Sequence, residues 1–359
     1  VYNFLMEIEN ITFKESLKLL ANRAGLELPQ QNQYQKQLSR KRDKFFEINN
    51  LAAKFYHYLL LNDDIGQKAL QYLKNRGYLE SDIEKFYLGY APDRWKALLK
   101  FLNKKGYKKD QLVQAGLVQK KNNQYYDRFR GRIIFPIFNV REEVLAFGAR
   151  ILDQENSSMP KYLNSPGTII YNKGDNLYGL NWARKHIRQS KNAIIMEGYT
   201  DVLSAHKADI NNAVASLDHS LTSSQASLLK RYADTVYIAY DADTAGAKAT
   251  LRGLDIVKKA GLSVKVIKLP EDKDPDDYIK QFGAQKFKEL QQEAFNLIDF
   301  KINQIIGDKE YNDPDSKVSL SRRLISLLAN LDDAIEKDIY IQKVAERLQL
   351  DVNLIRQEV

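Results

Sequence analysis

Three pairs of acidic residues lie close together along one stretch of the chain: Glu197 with Asp201, Asp241 with Asp243, and Asp274 with Asp276. An apolar run precedes each pair, at residues 192–196, 235–240 and 264–269. Carboxylates brought together repel one another unless a cation lies between them. Hard divalent ions take oxygen ligands. The pattern therefore points to Mg2+ (or Mn2+) and to phosphate chemistry, with Glu197, Asp241 and Asp243 as the strongest candidates. Two pairs also have a purely local reading. Asp201 is suited to cap the helix it opens, and Asp274-Pro-Asp-Asp277 is a common way for a helix to begin.

The elements that must position these groups follow from periodicity. Short apolar runs at 192–196, 213–217, 235–240 and 264–269 alternate with helical stretches starting near Val202 and spanning about 222–232 and 245–259. This alternation indicates a parallel sheet with helical crossovers, whose strand ends share one ligand-binding edge. Asp241 and Asp243, two apart, point the same way in extended chain. Upstream, helices are expected at 45–61, 65–76, 81–86 and 95–105, followed by strands at 133–138 and 144–147. From residue 287 onward the pattern is helical, with Leu320, Leu324, Leu327 and Leu328 forming a core stripe. Near the start, Thr12 and Glu15 form a capping box for a helix to Gly25, with Pro29 beyond it. The polar stretch that follows reads as a linker. The expected fold class is α/β (α+β overall): a mixed α/β N-terminal subdomain, a parallel α/β sheet and a C-terminal helical bundle.

Basic residues precede the carboxylate region. Arg128, Arg130, Arg132, Arg150, Lys161 and Lys173 are interleaved with Tyr125, Tyr126, Phe129 and Tyr162. Cations bind phosphates, and aromatic faces stack on single-stranded bases. The 359 residues carry 55 Lys and Arg against 46 Asp and Glu, a net charge of +9. Either a polyanionic partner or general solubility accounts for that excess. The length favours two or three subdomains. No run approaches the ~20 apolar residues of a membrane helix, and no signal-peptide pattern opens the chain, so no membrane partner is expected. With no cysteine, this stretch has neither disulfides nor thiolate zinc sites, which suits a cytoplasmic location. His57, His186, His206 and His219 lack metal-ligand spacing and receive no role.

Glu197-Gly-Tyr-Thr-Asp201, Asp241-Ala-Asp243 with Ala245-Gly246, and Asp274-Pro-Asp276 resemble the toprim domain of primases, topoisomerases and some nucleases. Tyr72-Leu-Lys-Asn-Arg-Gly77, Leu88-Gly-Tyr-Ala-Pro92, Arg128-Phe-Arg-Gly-Arg132 with Phe135-Pro136, and Pro160-Lys-Tyr-Leu-Asn-Ser-Pro166 resemble the core of bacterial DnaG-type primases. The resemblance implies a DNA-directed RNA polymerase of primase type that makes short RNA primers for replication by Mg2+-dependent nucleotidyl transfer. Its partners would be a single-stranded DNA template and ribonucleoside triphosphates at the replication fork. Arg150, Lys161, Asn164 and Lys173 would line the groove for template and nucleotide. The implied division is the tail of a zinc-binding module over 1–30, a linker over 31–43, a basic subdomain over 44–190, toprim over 191–276 and a helical subdomain over 277–359. Zinc, and the domain that binds the replicative helicase, would lie outside this chain.

The chain departs from the family pattern at Asp218 and His219, where Gly-Thr is usual, at Ala242, where Gly is usual, and at Thr244, where a basic residue is common. Asp218 would add negative charge near the metals. Two other readings are open. Asp241-Ala-Asp-Thr244 also resembles the nucleophile motif of haloacid-dehalogenase-type phosphatases, and altered motifs would suit a catalytically silent module that binds single-stranded nucleic acid.

Overall fold

The computed structural model describes residues 1, 5–6, 13–26, 33–153, 159–217, 221–239, 253–270, 273–307 and 313–359. Asp241, Asp243, Ala242, Thr244, Asp218 and His219 lie outside the described residues.

A long helix, Gln33–Asn62, backs a four-stranded antiparallel sheet. The strand order is Gly89–Ala91, Arg132–Phe138, Val144–Ile151, Tyr162–Asn164. Along Arg132–Phe138 nearly every residue is buried because both faces are covered. Ile134 faces Ile48, Ala52 and Tyr56 of the long helix. Ile133, Phe135 and Ile137 face the second sheet, as the period of two along a strand requires. The helix is fastened by Asn49 Nδ2, which donates to the Leu145 carbonyl at 2.8 Å. It crosses closest at Gly89, where a β-carbon would stand 2.6 Å from Tyr56 Cβ. Pro136 is tolerated in a central strand because the neighbour Gly89–Ala91 pairs only with residues 132–134.

The second sheet has six strands in the order Phe295–Asn296, Ser263–Val266, Thr235–Ile238, Asn192–Met196, Ala213–Ser216, Leu177–Tyr178. The four central strands pair in parallel, and the short edge strands are antiparallel. The parallel sheet is thus the one read from the sequence, but its edges come from segments assigned to the flanking subdomains. Ile194 and Met196 share a core with Ile133, Phe135 and Ile137. Ala193 and Ile195 face the opposite way, into a core with Leu320, Leu324 and Leu328. The C-terminal helices Leu297–Ile306, Pro314–Ala329, Ala334–Leu348 and Val352–Glu358 therefore cover one face of the sheet and share its core, rather than closing on themselves alone.

One expectation needs correction. The stretch 31–43, read as a linker, is helical from Gln33 and continuous with the core helix. Its described side chains are exposed from Gln35 to Lys44, so its polar composition reflects a solvated helix that continues past its packing surface. A hairpin of Val118–Lys121 with Gln124–Asp127 was not foreseen. Its two-residue turn, Asn122-Asn123, has φ of 47° and 59°, the left-handed pair that suits a tight hairpin. No described helix is long and apolar enough to cross a membrane.

Candidate functional site

Glu197 is the first residue after the central parallel strand Asn192–Met196 and is exposed at the carboxyl edge. The helix Tyr199–Lys207 starts two residues later, and Asp201 closes its first turn by accepting the Gly198 N–H at 2.9 Å. A β-carbon on residue 198 would come within 3.1 Å of that carboxylate, so glycine admits the turn. Asp201 is 5 % exposed. The local capping reading of this residue is realised.

Tyr199 joins the two sheets. Its ring stacks on Phe135 with centroids 5.3 Å apart, and its hydroxyl donates to Asn164 Oδ1 at 2.6 Å. Space for the ring exists because the residue opposite Asn164 in the antiparallel register is Gly148. A β-carbon there would lie 2.4 Å from the ring. Asn164 Nδ2 donates in turn to the Leu217 carbonyl at 3.2 Å, just past the neighbouring parallel strand. One amide side chain thereby ties the Pro-bracketed loop to two strand ends of the parallel sheet.

The basic residues divide by what they touch. Arg128 donates through Nε and Nη2 to the Asn164 carbonyl, at 3.2 and 2.8 Å. Arg132 is 2 % exposed and donates to the carbonyls of Pro160, at 2.9 Å, and Lys161, at 3.3 Å. Burial lowers the pKa of both, and Arg130 lowers that of Arg132 further. These two arginines shape the loop from behind. Arg132, expected among the phosphate-binding cations, is instead enclosed.

The other four candidates reach the surface. Arg130 lies 4.3 Å from the Trp95 ring centroid and 5.4 Å from that of Tyr126. Arg150 lies between the rings of Tyr72 and Tyr162, 5.7 and 5.6 Å away, and donates to the Tyr162 hydroxyl at 3.2 Å. Lys161 is exposed, 5.9 Å from the Tyr162 ring. Lys173 begins a short 3-10 turn whose carbonyl accepts Gln225 Nε2 at 3.1 Å. That contact docks the turn on the helix Ser223–Lys230, which Thr222 and Gln225 cap reciprocally.

Asp274 caps the helix Pro275–Gln292 by accepting the Asp277 N–H at 2.7 Å. Burial raises its pKa; the Asp277 N–H opposes this, while the carboxylates of Asp277 and Asp276 add to it. Oxygens of Asp274, Asp276 and Asp277 lie within 4.8 Å of one another. Asp276, 1 % exposed, accepts from Arg76 Nη2 at 2.8 Å, from Lys280 Nζ at 2.6 Å and from the Ser204 hydroxyl. Burial pushes its pKa up, but Lys280, Ser204 and Arg76 outweigh burial and hold the carboxyl below its usual range. Arg76 had not been singled out as a site residue. Its sequence signals were its membership of the Tyr72-Leu-Lys-Asn-Arg-Gly77 segment and its place before Gly77, where it ends the helix Gln67–Asn75.

Donor chemistry at this edge suits a divalent ion. Glu197 and Asp274 offer carboxylate oxygens beyond strands of the same parallel sheet, and Arg76 of the first subdomain reaches the neighbouring Asp276. Among the histidines, His206 is buried, its Nε2 at 2.9 Å from the Ala213 carbonyl. Its ring packs against Trp182 and Phe86, which makes it a core residue.

Comparison with known proteins covers nearly the whole chain. Residues 55–184 match the family model described as the N-terminal domain of the DNA primase catalytic core. Residues 194–279 match the Toprim-like model. Residues 298–353 match the model described as the DnaB-helicase binding domain of primase. This last match corrects the expectation that any helicase-binding segment lies outside the chain. The chain is 42% identical over 348 residues to a DNA primase of Clostridium acetobutylicum, covering 97% of this chain and 57% of that protein. It therefore spans less than two thirds of that relative. The solved DnaG primase catalytic domain bound to ssDNA superposes with a TM-score of 0.75 at 31% identity, covering 88% of this chain and 99% of that one. The RNA polymerase domain of Mycobacterium tuberculosis primase DnaG superposes with a TM-score of 0.77 at 30% identity, covering 85% and 99%.

Proposed function

The chain belongs to the family of DnaG-type primase catalytic cores, and from that premise we propose that it synthesises short RNA primers on single-stranded DNA by divalent-metal-dependent nucleotidyl transfer. The observation that carries this reading is the junction of Glu197 and Asn164. The strand-end carboxylate and the basic loop are joined through Tyr199, two residues along the same turn.

In this reading Glu197, Asp241 and Asp243 hold Mg2+ or Mn2+, with Asp274 towards a second ion. Bound metal would offset charge on the triphosphate and on the leaving pyrophosphate. The chain's own side chains do the rest. Arg150, Lys161 and Lys173 bind phosphates of nucleotide and template without reading sequence. Arg128 and Arg132 fix the loop that carries Lys161. Asn164, held on three sides, sets the distance between that loop and the metal edge. Residues 298–353 would contact a replicative helicase, as their family model suggests.

Incubation with single-stranded DNA, ribonucleoside triphosphates and Mg2+ or Mn2+, at high template concentration, tests the proposal. Short RNA that depends on template and metal is expected. A folded protein that binds DNA yet makes none would leave the silent-module reading. A trapped aspartyl-phosphate at Asp241 would favour the phosphatase reading, which none of the comparisons supports.

A further inference from the structure

We propose that Asp276 is a positioning residue, tethering Arg76 of the first subdomain to the carboxylate edge, and is not a metal ligand. The inference rests on the metal-dependent reading above and divides the work of Asp274-Pro275-Asp276 between its two acids.

The first ground is occupancy. One oxygen of Asp276 accepts both Arg76 Nη2 and Lys280 Nζ, at 2.8 and 2.6 Å, and the other accepts the Ser204 hydroxyl. An ionised carboxylate has about four lone-pair sites, and three are engaged. Two cations already neutralise it, so a third cation would meet repulsion at a side chain only 1% exposed. Asp274 differs: it is half-buried, and the Asp277 N–H donates to one of its two oxygens.

The second ground is what the tether holds. Arg76 Nη1 donates to the Tyr72 hydroxyl at 3.2 Å, and the Tyr72 ring faces Arg150 at 5.7 Å. Arg150 faces Tyr162 in turn. Asp276 thereby ends a line of alternating cations and aromatic rings that crosses from the parallel sheet's helix Pro275–Gln292 to the basic sheet. Arg76 Nε is buried with no acceptor among the described residues, although the side chain as a whole is 27% exposed. The tether holds the Tyr72 ring against Arg150, which is how its loss would reach a bound nucleotide.

Asp276→Asn, Arg76→Gln, Arg76→Lys and the double variant Asp276→Asn with Arg76→Gln, all in the full chain, test this. The readouts are Mn2+ affinity by electron paramagnetic resonance, melting temperature, and KM and kcat for ribonucleoside triphosphate. Mn2+ affinity is expected to stay within about twofold in Asp276→Asn and Arg76→Gln. Nucleotide KM should rise in both with kcat little changed, the double variant should be no worse than the poorer single, and Arg76→Lys should recover part of the loss. Weakening of Mn2+ binding by about tenfold or more in Asp276→Asn, or losses that multiply in the double variant, would overturn the tether. Should Asp276→Asn not fold, Arg76→Gln decides: a ligand role for Asp276 requires tighter Mn2+ binding there, and a tether requires no change. If the parent protein neither binds Mn2+ nor makes RNA, the functional reading fails instead. The melting data then stand alone, with sub-additive losses upholding the tether and additive losses ending it.

Discussion

The hydroxyl of Tyr199, at the start of the helix that follows the central parallel strand, and the side-chain oxygen of Asn164, at the end of a strand of the antiparallel sheet, meet at 2.6 Å. Tyr199→Phe removes the donor and leaves a half-buried amide oxygen unpaired, at a cost of about 1–3 kcal/mol. Chemical denaturation is expected to show that loss. Nucleotide KM should rise while Mn2+ affinity holds, because Glu197 does not depend on the hydroxyl. An unchanged KM would separate Asn164 from substrate binding.

Gly148 is the space into which the Tyr199 ring fits. Gly148→Ala drives a methyl into that ring, and overpacking of this kind costs about 1–3 kcal/mol. A fall in melting temperature is expected, with partial recovery in the double variant Gly148→Ala with Tyr199→Leu, whose smaller side chain vacates the site. Simple addition of the two losses would count against the contact.

Asp241→Asn keeps size and shape while removing charge. The variant is expected to have a normal circular dichroism spectrum and melting temperature yet make no primer. Primer synthesis at the parent rate would remove Asp241 from the metal site.

The cations differ in what they reach. Neutralising a phosphate-contacting residue such as Lys161→Gln should lower the slope of log K against log salt for single-stranded DNA by about 0.7. Arg132→Lys, enclosed behind the same loop, should weaken binding without changing the slope, because the cation never meets a phosphate. Equal slopes in Lys161→Gln and the parent would overturn that division.

His206 gives the fold an acid-sensitive point. Burial pushes its pKa from 6.5 down to about 4. Between those values the unfolded chain binds more protons than the folded one, so stability falls as pH drops from 6.5 to 4, by about 3 kcal/mol at most. Asp127, whose pKa burial raises to about 6, acts oppositely: its contribution is present below about pH 4 and is lost as pH rises through 6. Comparing His206→Gln with the parent cancels the Asp127 term. The variant is expected to lose less stability on acidification, as read from denaturation midpoints at pH 7, 5.5 and 4.5.

Much of this arrangement is written locally in the sequence, because strand and cap formation depend on neighbours along the chain. Asn192–Met196 appears as read, Thr222 and Gln225 cap their helix as their spacing requires, and the order of strands and helices implies a parallel sheet with Glu197 at its carboxyl edge. Other features depend on partners distant in sequence. Arg132 and Lys161 look alike as cations, yet one is enclosed and the other exposed, since exposure depends on which carbonyls the folded loop presents. Asp274 and Asp276 are two residues apart, and only the approach of Arg76, 200 residues away in the chain, makes them different. Residue types and spacing decided that Glu197 and Asp274 each follow a strand of the parallel sheet; packing between the two sheets decided which of the described acids and cations keep their charge available, because burial and ion pairing depend on long-range contacts.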